Sequence, residues 1–417
     1  MKKHASYHLW KRFFLIQVSL FIFFILSLGS FSKKIHEIDF MIVGQFEKQF
    51  EIDLPGRLTD LKISSSGQRM LAATVPDFPG NGENISKPHL QLLNSNGKVL
   101  WSFPLKARVR DLGLSFEGKL NVISTYEDKL IAYDQQGKEK WTYPGMCYPY
   151  VQTLNERVIC YYDDDSRPRT AFVALSFDGK KILEYPTSAD VLTFDISRDE
   201  RWILMGLDGG KVQLLSPELK SLWTRSLGGQ PMSVTLSNSA EPKIAVLYLD
   251  SHQSKKVSVF SLTGELLQDA GVPFSISKIV FSSTSESLLF YGNSKRGQEI
   301  LSAALFHLNE MKNFDENPRW VFDWSYQDTA QAHYSSRIQV LDQSIVLGFE
   351  GVSNRGEKAR RFQLFSFRSN GKVKWTFPVQ SMQGYYLFDA HQKQDDETIL
   401  YISGDHGKIF KYFIKEG

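Results

Sequence analysis

One phrase returns along this chain: a short apolar strand, a polar turn usually holding glycine, and a second strand carrying an aromatic residue. It reads "LQLLNSNGKVLWSFPL" at 90–105, "LIAYDQQGKEKWTYPG" at 130–145, "FVALSFDGKKILEYPT" at 172–187 and "VQLLSPELKSLWTRSL" at 212–227. It continues as "VSVFSLTGELLQDAGV" at 257–272 and "FQLFSFRSNGKVKWTF" at 362–377, and a stretched copy over 303–325 still ends in aromatic-Asp-Trp. One copy would be a hairpin. A set of copies is an architecture, because a unit this small cannot bury its own apolar face and must stack on its neighbours.

Each of these hairpins follows another, of the form "LKISSSGQRMLAAT", "LGLSFEGKLNVIS", "TFDISRDERWILMGL" or "KIVFSSTSESLLFYG". Alternating apolar residues mark a half-buried strand, and a continuous apolar run marks one buried on both faces. Each unit therefore reads as four antiparallel strands, the inner two buried and the outer two half exposed. Gly97, Gly137, Gly179, Gly264 and Gly371 stand where the outer hairpin turns, which favours positive φ. Four residues on from the turn stand Trp101, Trp141 and Trp375, and Trp223 after Leu219, where the glycine is lost. A flat side chain repeated at that place is expected to lie between adjacent units and to bury about 150–250 Å².

The units form a closed series. Seven outer hairpins are present, and a final unit begins near Gly384 with "YYLFDA", "TILYISG" and "KIFKYFIKE". It stops one strand short. "QFEKQFEIDL" at 45–54 supplies the missing strand, pairing with the C-terminal blade and removing an open sheet edge. From residue 46, eight units take about 46 residues each and seven about 53, against the roughly 40–50 usual for such repeats. The expected fold is all-β: an eight-bladed β-propeller of four-stranded antiparallel blades, with seven blades the alternative, preceded by one N-terminal transmembrane helix.

That helix is "FFLIQVSLFIFFILSLGSF" at 13–31, close to bilayer length at 1.5 Å per residue. Lys2, Lys3, Lys11 and Arg12 precede it, which places the N-terminus in the cytoplasm. The expected division is a cytoplasmic tail (1–12), a signal anchor (13–31), a connector (32–44) and the propeller (45–417). The propeller then lies on the periplasmic or extracytoplasmic side of the cytoplasmic membrane. Cleavage near Ser27-Leu28-Gly29 or Ser30-Phe31-Ser32 stays open. The first cysteine is Cys147, so no lipid-accepting cysteine follows the apolar core. Cys147 and Cys160 flank a hairpin that would permit a disulfide, although two buried thiols on neighbouring strands are the plainer expectation.

"D-x-x-G-K-x-x-W" from Asp134 to Trp141, with its weaker copies ending at Trp101 and Trp375, resembles the quinoprotein-type (PQQ-like) β-propeller repeat. The resemblance implies the propeller scaffold. In the catalytic members it would also imply a vicinal cysteine pair under the cofactor, a Ca²⁺ site and a catalytic Asp. Here the cysteines are thirteen apart and no blade supplies a recognisable ligand set, so no enzyme, cofactor, catalytic residue or metal is expected. Asp163-Asp164-Asp165 and Gln394-Asp395-Asp396-Glu397 read as solvated loops, and the nine His show no zinc spacing. No nucleophile elbow or phosphate loop is present.

Residues 1–34 hold six basic residues and no acidic one, leaving 43 basic against 46 acidic beyond them, which argues against nucleic acid as partner. The longest polar insertion, "PDFPGNGENISKPH" at 76–89, is the expected partner-contact loop through Asp77, Phe78, Asn81, Glu83 and Asn84. The chain is expected to be a membrane-anchored, non-enzymatic scaffold for protein–protein interactions in a bacterial cell-envelope complex. In architecture it is similar to the propeller lipoprotein of the outer-membrane β-barrel assembly machinery. A periplasmic ligand- or carbohydrate-sensing propeller is the alternative, although a small molecule is not the expected partner, and a PQQ-dependent dehydrogenase ranks last.

Overall fold

A computed structural model describes residues 45–415, apart from 65, 77–86, 146, 153–155, 163–169, 188, 273–274, 283–285, 296–297, 309–319, 325–335, 341–343, 353–359, 369–372, 383–387, 395–396 and 404–407. The expected membrane segment at 13–31 lies outside the described residues, as does the Asp163–Asp165 run.

The described residues form eight four-stranded antiparallel sheets. Seven are continuous in sequence: sheet 1 spans 57–104, sheet 2 109–144, sheet 3 147–186, sheet 4 191–226, sheet 5 229–271, sheet 6 275–324 and sheet 7 336–382. Sheet 8 takes three strands from 388–415 and its fourth from Gln45–Asp53, which pairs antiparallel with Lys408–Lys415. In most successive sheets the first strands lie against one another, as Arg57–Ile63 does against Val109–Leu114 on one side and Phe388–Gln394 on the other. This is the arrangement of a β-propeller.

The outer turns follow from their first residue as much as from glycine. Asn94 and Asp134 each use their side-chain oxygen to accept the N–H groups of the residues two and four further on. The same residue's carbonyl accepts from the glycine N–H, Gly97 or Gly137, at 3.0 and 3.1 Å. Ser176, Ser216 and Ser261 do this more weakly with a hydroxyl. The turns at 64–69, 115–120, 197–202 and 282–287 share another device. A buried serine (Ser64, Ser115, Ser197 or Ser282) accepts the N–H of the residue five further on and so satisfies that donor.

Burial departs from the expected pattern. The second and third strands are the buried ones: Asn121–Thr125 is buried at every residue, and Leu90–Leu93 throughout. The first strand is mixed, because its other side lines the axis of the ring, and the fourth alternates between exposed and half-buried. The middle strands are continuous apolar runs because both faces meet a neighbour. Ile123 packs toward sheet 1 with Leu71 and Leu92, while Val122 packs toward sheet 3 with Val158 and Val173. The core is thus a series of wedges between sheets rather than one mass.

The cysteines also differ from the plainer expectation. Cys160 is disulfide-bonded, and the chain's only other cysteine is Cys147. Pro149 is the register partner of Cys160, so Cys147 stands two residues away on the same face of the adjacent strand. That is a diagonal neighbour across an antiparallel pair, within reach of a bond.

Candidate interaction surface

The tryptophans and turn glycines meet across blades. The indole of Trp101 in sheet 1 lies on Gly137 of sheet 2, where a Cβ would stand 2.9 Å from its ring, and its N–H donates to the Gln135 carbonyl at 3.0 Å. Trp141 repeats this on Gly179, with the Phe177 carbonyl at 2.9 Å. Trp223 does so on Gly264, with the Leu262 carbonyl at 2.8 Å. The acceptor is always two residues before the glycine. Each glycine therefore meets two demands: φ near +80° and a bare Cα under an indole. Gly371 lies outside the described residues.

The closing seam between sheets 8 and 1 uses other residues. A Cβ on Gly97 would stand 2.7 Å from Ile52 and 3.3 Å from Phe50, both on the Gln45–Asp53 strand. The carbonyl of Ser95, again two before the glycine, accepts from Lys411 Nζ at 2.7 Å. An ammonium here replaces the indole N–H. Lys408 Nζ bonds Glu51 at 2.7 Å and Lys48 bonds Glu51 from within the strand, so the N-terminal strand is fastened by charge as well as by its ladder. These lysines hold the Glu51 carboxyl down at about 2. Trp375 is fully buried at the seam of sheets 7 and 8, edge-on to Phe46. Its indole N–H has no hydrogen-bond partner among the described residues. Sheet 8 has no turn between its third and fourth strands to offer a carbonyl, because those strands come from opposite ends of the chain.

The seam of sheets 4 and 5 also holds a carboxylate. Asp195 in sheet 4 accepts the N–H of Leu236 in sheet 5 at 2.8 Å and that of its neighbour Ile196 at 2.9 Å. Burial raises this carboxyl to about 6, against the opposing pull of those N–H groups. Nearby, five first strands carry a β-bulge at the same place, centred on Thr59, Arg110, Leu192, Met232 and Ser277. A bulge re-aims a side chain out of the ladder. Tyr150, on the first strand of sheet 3, has its phenol pushed up to about 12 by burial, with Glu200 and Asp195 adding to it.

A groove of about 500 Å³ opens between sheets 1 and 2, lined among others by Phe103, Lys106, Glu127, Lys129, Tyr133 and Glu139. Its charges are mixed. Among the described residues no group of three or more His, Cys, Asp or Glu could hold a metal. Asp77, Phe78, Asn81, Glu83 and Asn84 of the expected contact loop lie outside the described residues. Sequence reasoning missed Lys411, Phe50, Ile52, Asp195 and Arg110. The bulges have a sequence signal: four of the five centres stand five residues before the buried serine of the following turn, and Met232 before its equivalent Ser237.

Residues 86–279, just under half of the chain, match the PQQ-type family described as outer membrane protein assembly factor BamB. Among solved structures, BamB from Moraxella catarrhalis is similar with a TM-score of 0.56 at 14% identity, over 88% of this chain and 99% of that one. Dihydro-heme d1 dehydrogenase NirN follows with 0.54 at 11%, over 84% of this chain and 76% of that one. KlHsv2, in a form with loop 6CD replaced by a Gly-Ser linker, gives 0.51 at 11%, over 78% and 98%. At these identities the structural likenesses speak for the fold alone. No curated protein matches the chain significantly in sequence.

Proposed function

We propose that this chain, a PQQ-like β-propeller similar to BamB, is a membrane-anchored, non-enzymatic scaffold that joins other envelope proteins in a bacterial cell. Its eight sheets form an eight-bladed ring, closed by the Gln45–Asp53 strand and tethered to the cytoplasmic membrane by residues 13–31. The observation that carries the reading is where the repeated residues go. The repeat's Trp, Gly and Asp or Asn are occupied in turns and seams. They build a ring and leave the loops at its two ends as the surface for recognition. The family match over 86–279 supports the envelope setting, and the bonded Cys160 supports an oxidising compartment.

Affinity purification of the full-length chain from native membranes in mild detergent, with mass spectrometry of the chain and its companions, tests this. The expected result is retention of residues 1–34 with stoichiometric membrane partners. A chain that begins near Ser30 or Lys33 and comes down alone would overturn the anchored scaffold and favour a soluble ligand-binding propeller.

A further inference from the structure

We propose that Arg108 and Arg110, stacked on Tyr126 at one end of sheet 2, bind the carboxylates of an acidic segment of a partner protein. Arg110 occupies the bulge of the first strand, between Val109 and Asp111. Its guanidinium lies 4.9 Å from the ring centre of Tyr126 and 6.0 Å from that of Tyr148 in the next sheet. Arg108 lies 5.6 Å from the same Tyr126 ring, whose residue is 58% exposed. The arrangement is built into the backbone, since the Tyr126 N–H donates to the Arg108 carbonyl at 3.0 Å.

Neither guanidinium has a carboxylate within ion-pair distance among the described residues, and Arg110 Nε is buried without a hydrogen-bond partner. Glu127, next in the same turn, pairs instead with Lys129 at 3.6 Å. Two cations held against one aromatic ring repel each other, and a bound anion relieves that repulsion. The chain beyond residue 34 carries more acidic than basic residues, so this cationic site stands out against its own background.

Its shape selects the ligand. Arg110 is half-buried between two tyrosines, so a slender side chain reaches it and a flat lipid surface does not. A guanidinium presents a planar fork that takes a carboxylate by two parallel bonds. At the same bulge position in sheets 4 and 5 stand Leu192 and Met232, 44% and 37% exposed. The proposal rests on the scaffold reading only in taking the ligand to be part of a protein.

The test is fluorescence anisotropy of a labelled Leu-Glu-Leu-Glu-Leu-Glu peptide with the full-length protein in detergent. A Gln-for-Glu peptide, inorganic phosphate and phosphatidylglycerol vesicles are the other arms. The Glu peptide should bind and the Gln peptide should not. Arg108→Ala with Arg110→Ala should weaken binding about tenfold or more, and the paired Lys variants by a smaller factor, since charge survives without the fork. The Lys pair also reports on the site if the Ala pair melts early. Absence of peptide binding, equal binding by the Ala pair, or arginine-dependent binding of phosphate or vesicles but not peptide would overturn the proposal. The two readings separate in the membrane purification. If the Ala pair still brings down the wild-type partners, this site falls and the scaffold stands. If the wild type brings down none, the scaffold itself falls.

Discussion

Between sheets 1 and 2 the indole of Trp101 lies on the bare Cα of Gly137, whereas between sheets 3 and 4 the corresponding positions are Leu183 and Leu219. Leu219 keeps the left-handed turn, with φ +55°, although it carries a side chain. That side chain is 5% exposed and packs with Leu183 in the wedge of sheets 3 and 4. The space an indole would fill is taken from the other side. The repeat is therefore a pair of positions on neighbouring blades rather than a hairpin motif. At Gly137, Gly179 and Gly264 the preceding blade supplies an indole; at Leu219 it supplies the smaller Leu183.

The sharpest way to break this reading is Gly179→Ala. A Cβ there would stand 2.4 Å from Trp141, on a backbone with φ +78°. Left-handed strain of about 1–2 kcal/mol adds to overpacking of about 1–3 kcal/mol, so a loss of about 3 kcal/mol is expected in denaturant unfolding. Trp141→Ala alone should cost about 3 kcal/mol. In the double variant the steric part vanishes, so the two losses should sum to well more than the loss observed. Strict additivity would mean that the indole does not dock on the turn.

The seam of sheets 4 and 5 adds a pH test. The Asp195 carboxyl, raised to about 6 from 3.8, holds its proton more tightly folded than unfolded. Its contribution is fully present below pH 3.8 and is lost as pH rises through about 6, a difference of about 3 kcal/mol at 1.36 kcal/mol per unit. Melting followed from pH 4 to 7 should show this fall, and Asp195→Asn should flatten it. An unchanged slope in the variant would place the titration elsewhere.

Grafting sharpens the same comparison. Leu183→Trp alone overpacks against Leu219 and should cost about 2 kcal/mol. Adding Leu219→Gly should return most of it, because the glycine relieves φ +55° and bares the Cα. If the second change deepens the loss, Leu219 is needed for reasons the docking pair does not capture.

The propeller repeat was legible because its determinants are local: alternation, a turn glycine and a fixed spacing within one hairpin. The pairing of Trp101 with the Gln135 carbonyl was not, because the two are 34 residues apart and nothing in either hairpin names the other. The role of Leu219 was readable only as a lost glycine. Lys411 and Ile52 were illegible as a docking pair because they replace the tryptophan with a different chemistry, from opposite ends of the chain. The disulfide of Cys160 depended on register, which two cysteines in one stretch do not specify. The Arg–Tyr cluster joins a strand end, a turn and the next sheet, and only the ring brings the three together.

The smallest effect separates the closing seam from the others. The indole contacts of the Trp seams do not titrate, whereas the Gln45–Asp53 strand is held partly by Glu51 between Lys408 and Lys48. Glu51 is depressed to about 2 from 4.5, so its contribution is present above pH 4.5 and is lost as pH falls through about 2. The groups are exposed and screened by salt, so the change should be small and should shrink as salt is raised. Melting between pH 5 and 2 should show a salt-sensitive loss that Lys408→Met reduces and that Lys408→Met with Lys48→Met abolishes. Lys411→Met should instead cost about 1 kcal/mol already at neutral pH, through loss of its bond to the Ser95 carbonyl, a group that does not titrate in this range. If both lysine variants lost stability only at low pH, charge alone would close the ring, and Lys411 would not stand in for the indole that the other seams use.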